Sequence, residues 1–106
     1  MRNTAYSITI TDQAKEDLIN YIDYIAFQYQ EYSAIQRIVE DYYKALQSLR
    51  MVGDIYDVCN FPKAQKEGIR RIRLKRYKYY LFFVIKDNEI TVVRGFQARQ
   101  NYQKLL

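Results

Sequence analysis

The chain is predicted to fold as an α+β protein: an N-terminal strand, an antiparallel helical hairpin, a three-stranded antiparallel meander and a short C-terminal tail. Three observations carry this prediction. Apolar residues recur every three or four positions from Ala14 to Leu49, the period of helices packed on one side. From Arg71 to Phe96 the pattern changes to alternation and to runs rich in β-branched and aromatic residues, as strands require. The 106 residues are 49% hydrophobic and 27% charged, with 3 Gly and 1 Pro. That composition suits one domain spanning 1–106, with one core between two layers and little room for linkers.

Tyr6 to Ile10 alternates and is β-branched, so it reads as a short strand. Thr11 or Asp12 then caps a helix whose apolar stripe is Ala14, Leu18, Tyr21, Ile22, Ile25 and Tyr29. Asp12, Glu16 and Asp17 lie near its start, where negative charge complements the helix dipole. A break is expected at 30–32. Ser33 followed by Gln36 fits a capping box, and a second stripe follows at Ile35, Ile38, Val39, Tyr42, Leu46 and Leu49, ending at Gly53. So short a connection folds the two helices back on each other. Tyr21 and Tyr42 are expected to pack between this hairpin and the sheet.

Residues 52–67 show no clear period. They read equally as a functional loop or as an irregular segment anchored by Tyr56 and Phe61. In Arg71–Lys75, Ile72 and Leu74 share one strand face, while Arg71, Arg73 and Lys75 share the other. Tyr79–Ile85 is apolar throughout, as a strand covered on both sides would be. Asp87-Asn88 makes a tight turn, and Ile90–Phe96 completes the meander with Arg94 inside it. From Gln97 to Leu106 a turn and a short terminal helix are expected.

The N-terminal stretch lacks the apolar segment of a signal peptide, and no run is long enough to cross a membrane. One cysteine, Cys59, and no histidine argue against a disulfide, a zinc site or a thiol nucleophile, and fit a reducing cytoplasm. No cofactor or metal is expected. The net charge of +5 is unevenly spread. Residues 1–62 carry 5 Lys or Arg against 9 Asp or Glu, whereas residues 63–106 carry 12 against 3. Within 63–78, 8 of 16 residues are Lys or Arg. Such crowding predicts one basic face and a polyanionic or acidic partner.

The order of these pieces resembles the RelE/ParE family of bacterial toxins from type II toxin–antitoxin modules. The likeness covers essentially the whole chain. It is carried by Thr11, Ala14, Asp17 and Leu18 onward to Tyr24-Ile25, by Gly68–Ile72, by the aromatic run 79–85, by Asp87–Ile90, by Val92–Arg94 and by Arg99–Tyr102. The resemblance implies a growth-inhibiting toxin neutralised by a cognate antitoxin. ParE-like members inhibit DNA gyrase without nuclease chemistry. RelE-like members cut mRNA on the ribosome.

Metal-free RNA cleavage needs a base for the 2′-OH, an acid for the leaving oxygen and cations for the phosphorane. Under the RelE-like reading the catalytic candidates are Arg73, Arg99, Tyr102 and Lys66, with Glu67 as an alternative proton handler. Under either reading Arg70, Arg71, Arg73, Lys75, Arg94 and Arg99 are candidates for contacting nucleic acid or antitoxin. The family often places an arginine inside the aromatic strand, where this chain has Tyr80. Its histidine-using nucleases carry that residue near the tail, where this chain has Gln97-Ala98. Both departures lean toward a ParE-like toxin. The other classes open to the sequence are a non-toxic nucleic-acid module, stacking bases on Tyr77, Tyr79 and Tyr80, and a binder of acidic peptides.

Overall fold

The computed structural model describes residues 5–30 and 32–106. The first four residues of the N-terminal stretch and Glu31, in the expected break at 30–32, lie outside the described residues. The order is β1 (Ser7–Ile10), α1 (Asp12–Tyr29), α2 (Tyr32–Val52), a 3-10 turn (Gly53–Ile55), α3 (Pro62–Glu67), β2 (Arg70–Arg73), β3 (Tyr79–Lys86), β4 (Glu89–Gln97) and α4 (Tyr102–Leu105). The α+β architecture is as expected, with the helical hairpin, the meander and the short terminal helix in place.

The strands form one sheet in the order β1-β4-β3-β2. β2, β3 and β4 are antiparallel neighbours, joined between β3 and β4 by the Asp87-Asn88 turn, with Lys86 facing Glu89. Asp87 takes a positive φ of 55°, which short polar side chains tolerate. β1 pairs with β4 in parallel, Ile8 beside Ile90 and Ile10 beside Val92. Alternation alone does not reveal that partner. The helical hairpin begins the long connection that parallel pairing requires, which continues through α3, β2 and β3 before β4.

Thr11 joins the two layers. Its hydroxyl accepts the Ala14 N–H at 3.1 Å, capping α1, and donates to the Val93 carbonyl at 3.0 Å. Its own N–H reaches the Val92 carbonyl. At the other end Gln30, in the left-handed region at φ 50°, donates its N–H to Ala26 O and closes α1. α2 begins at Tyr32, so Ser33 lies inside its first turn rather than ahead of it as expected. Tyr29, predicted on the buried stripe of α1, is 62% exposed. It sits in the last turn, beyond the reach of the sheet, so period alone mistakes it for core.

Residues on alternate sides of β3 enter different cores. Tyr79, Leu81 and Phe83 join Ile72, Leu74, Ile90 and Val92 against Tyr21, Ile25, Ile38, Tyr42 and Leu49 of the hairpin. Tyr21 stacks on Tyr79 with ring centroids 4.4 Å apart, as the expected packing of tyrosines between hairpin and sheet requires. On the opposite face Phe82 joins Phe96, Ile69, Phe61, Ala64 and Cys59, with Tyr80 and Tyr102 packed alongside. Burial raises the Cys59 thiol pKa, outweighing the opposing charge of Arg71, so Cys59 is an apolar core residue.

The segment 52–67 is therefore not an uncovered loop. Phe61, Ala64 and Cys59 cover the second face of the sheet, Tyr56 packs against the main core, and Val58 bridges Arg70. The sequence hides α3 because six residues are too few to show a period. Gly68, at φ 72°, closes α3 in a left-handed cap and turns the chain into β2. Gly95 answers a different need. A Cβ there would lie 2.2 Å from the Tyr79 hydroxyl oxygen, so the buried tyrosine packs directly on backbone. A register shift between Phe82 and Phe83 sets Phe82 opposite Arg94 and Phe83 opposite Val92. Val93 is the extra residue of a β-bulge. Among the described residues no helix is long and apolar enough to cross a membrane.

Candidate functional site

β2 ends at Arg73, so of the expected basic row only Arg71 and Arg73 stand on the strand, and Lys75 follows beyond it. Arg71 lies opposite Phe82 and Arg73 opposite Tyr80, on the face of the second core. The Arg71 guanidinium sits 4.4 Å over the Tyr80 ring and 5.8 Å from the Tyr102 ring centroid. It also donates to the Tyr102 hydroxyl at 2.8 Å. A guanidinium held by two ring faces and a hydrogen bond is well fixed. Arg73 and Lys75 are exposed and, among the described residues, their side chains make no hydrogen bond or ion pair.

The remaining candidates are divided among other places. Arg70 points to the opposite face and donates to the carbonyls of Asp54 at 3.1 Å and Tyr56 at 2.6 Å. It thereby ties the segment after α2 to the sheet edge. Arg94 is held by Asp17, Nε to Oδ2 at 2.8 Å and Nη2 to Oδ1 at 3.2 Å. It also donates to the Leu105 carbonyl and lies 4.4 Å over the Phe96 ring. Lys66 is exposed in the last turn of α3. Arg99 donates to Gln97 Oε1 and lies over the Tyr24 ring of α1.

The structure thus brings Arg71 and Tyr102 into contact and leaves Lys66 and Arg99 with other neighbours. Tyr102 is anchored by Phe82 at 5.0 Å between centroids, with Phe61 and Tyr80 near 6 Å. Lys63 Nζ donates to the Leu106 carbonyl and holds the end of the tail. Among the described residues no carboxylate touches Arg71, Arg73 or Tyr102, and no group of three or more His, Cys, Asp or Glu could hold a metal ion. What this face offers is fixed and free positive charge beside aromatic rings, without a paired acid and base.

Sequence reasoning missed Arg76, although it belongs to the basic run. Its backbone N–H and Nε donate to Asp41 Oδ2 and Oδ1 at 2.9 and 3.0 Å, and Nη2 reaches Glu40 at 3.2 Å. Asp41 is buried in α2. Burial alone would raise its pKa, but the Arg76 hydrogen bonds and charge outweigh burial and hold it below the usual carboxylate range. This pair pins the β2–β3 connection to the hairpin. Asp41 sits on the apolar stripe of α2, one residue before Tyr42, and a charge there was the available signal. The Tyr21 and Tyr42 phenols are pushed up to about 12, chiefly by burial. Tyr79 is raised further for the same reason.

Fold and surface together define a small α+β protein that presents a cationic, aromatic-lined face. Residues 8–102 match the sequence profile of the ParE toxin of the type II toxin–antitoxin system parDE. The chain belongs to that family and is a ParE-like toxin component of a type II toxin–antitoxin system. A cognate antitoxin is its partner within such a system. Among solved structures it is similar to a chain from the chromosomal ParDE system of P. aeruginosa, with TM-score 0.73 and 21% identity over 90% of this chain and 98% of that one. That likeness concerns the fold. No curated protein matches the sequence closely enough to count as a relative.

Proposed function

We propose that this toxin acts by binding its target without cutting RNA, and that the target is DNA gyrase in the cytoplasm, as for ParE-like members of the family. The observation that carries this reading is how the basic residues are engaged. A nuclease needs cations free to meet the phosphorane and an acid–base pair beside them. Here Arg70 is spent on backbone carbonyls, Arg94 on Asp17, and Arg71 on Tyr80 and Tyr102. Tyr80 occupies the place where nuclease members often carry an arginine, and its ring is the platform on which Arg71 rests. Among the described residues the Arg73 and Lys75 side chains remain free, so they are the residues proposed to meet the target or an acidic stretch of the antitoxin. Arg99, at the tail, is proposed as a further contact.

The test is a supercoiling assay with purified toxin and gyrase, run beside a translating extract in which mRNA ends are mapped. Inhibited supercoiling with intact mRNA is expected, relieved by the antitoxin encoded next to the toxin gene. Codon-phased mRNA cuts with unaffected gyrase would overturn the proposal and restore Arg73, Arg99, Tyr102 and Lys66 as catalytic candidates.

A further inference from the structure

Away from the β2 face, a cleft of about 690 Å³ opens between α1, the first turns of α2, the β2–β3 connection and the turn after β4. Its volume is in the range of small-molecule sites. Tyr24, Tyr29 and Tyr77 line it, together with Arg76, Lys78 and Arg99. Tyr77 is held in place, its hydroxyl taking a hydrogen bond from Arg37 Nε and donating to the Ala34 carbonyl. Tyr24 is 37% exposed and Tyr29 more so, so phenol rings stand open to solvent here. The Arg99 guanidinium lies 5.2 Å from the Tyr24 ring centroid.

The charge is unbalanced. Among the described residues no carboxylate lines the cleft. Arg76 is neutralised from behind by Asp41 and Glu40. The Lys78 ammonium has no partner among the described residues, and the Arg99 guanidinium has only the neutral Gln97 and Tyr24. Positive charge in a concave site attracts anions, and exposed rings beside arginine favour a planar partner that stacks. An acidic peptide satisfies the first condition but not the second. It also gains most by adding to a free strand edge, whereas this cleft is walled by helix flanks and turns.

We infer that this cleft binds a nucleoside 5′-phosphate, either a free nucleotide or the 5′ end of a nucleic-acid strand. The base stacks on the open tyrosines, and the phosphate meets Lys78 and Arg99. This site lies outside the β2 face and does not depend on gyrase being the target.

The full-length toxin, labelled with ¹⁵N, is titrated with AMP, adenosine, ribose 5-phosphate, a 5′-phosphorylated trinucleotide and poly-glutamate. AMP is expected to shift the amides around Tyr24, Tyr77, Lys78 and Arg99, and to bind about tenfold or more tightly than adenosine or ribose 5-phosphate. Raising the salt should weaken it. A trinucleotide tighter than AMP identifies a strand end as the source, and the reverse order a free nucleotide. Lys78→Glu, at an exposed site, keeps the fold and should lose AMP binding by about tenfold or more, and Tyr24→Leu should do the same through lost stacking. No cleft shifts with AMP or trinucleotide at millimolar concentration overturns the inference, as does poly-glutamate binding more tightly than either. Gyrase inhibition is not read in this experiment, so its outcome and that of the supercoiling assay are separate.

Discussion

The carboxylate of Asp17 on α1 grips Arg94 on β4 from 77 residues away, and the same Oδ2 accepts the Gly95 N–H at 2.9 Å. β1 pairs with β4 only as far as Val92. Past that point Asp17 stands in for the absent neighbouring strand, taking a backbone donor that would otherwise be left on an open edge. Arg94 neutralises the carboxylate, whose side chain is 8% exposed.

Removing Asp17 should therefore cost more than removing an ordinary surface charge. Asp17→Ala is expected to destabilise the fold by about 2–3 kcal/mol, because Arg94 and the Gly95 N–H both lose their acceptor. Arg94→Ala should cost less, since the carboxylate keeps the Gly95 N–H. Urea unfolding of the two variants checks the order. Arg94→Ala with unchanged stability would mean that the ion pair does not hold α1 to the sheet.

Arg73 and Arg71 should separate binding from folding. The Arg73 side chain makes no hydrogen bond or ion pair among the described residues, so Arg73→Ala should change stability by less than about 0.5 kcal/mol while weakening growth inhibition on induced expression. Arg71→Ala strips the Tyr80 and Tyr102 contacts and should lower both stability and toxicity. Undiminished toxicity of a well-expressed Arg73→Ala protein would remove Arg73 from the target surface.

Asp41 should give the fold an acid limit. Its pKa is lowered in the folded state, burial being outweighed by Arg76, so unfolding raises it toward the ordinary value of about 4. The stabilisation is then complete above about pH 4 and fades as pH falls through the depressed folded value. Asp41→Asn should lower the melting temperature at neutral pH and flatten its decline as pH falls below about 4. Parallel melting curves for the two proteins across that range would show that another group sets the limit.

Gly95 and Tyr79 make a pair that can be tested from both sides. Gly95→Ala would drive a Cβ to 2.2 Å from the Tyr79 hydroxyl oxygen and should cost about 1–3 kcal/mol or more by overpacking. The Tyr79 hydroxyl is buried without a hydrogen-bond partner among the described residues. Tyr79→Phe should accordingly be neutral or stabilising, and it should relieve part of the Gly95→Ala cost in the double variant. Additive losses, measured as a double-mutant cycle, would show that the backbone moves instead.

Much of the fold was legible because local pattern reports periodicity. The spacing from Ala14 to Leu49, the parity of Ile72 and Leu74, and the unbroken apolar run of β3 each follow from which face meets the core. α3 was not legible, since six residues make less than two helical turns. Nor was the exposure of Tyr29, because period shows which face a residue takes but not whether the sheet extends that far. Among the candidate site residues, Arg71 and Tyr102 do meet, whereas Arg70 and Arg94 hold the protein's own backbone and Asp17. A sequence reading counts these arginines alike because their charge is visible and their partners are not.

By itself the sequence determined the fold class, the family likeness and the concentration of positive charge in 63–78, all of which depend on residue type and near-neighbour spacing. Only the tertiary structure decided which of the positive charges in 63–106 are free. Whether an arginine is available depends on acceptors far away along the chain: Asp17 for Arg94, the Asp54 and Tyr56 carbonyls for Arg70, Asp41 for Arg76, and Tyr102 for Arg71. Those meetings are set by strand order, by the parallel return of β1 and by the packing of the hairpin, and each turns a charge that could serve a partner into one that holds the fold.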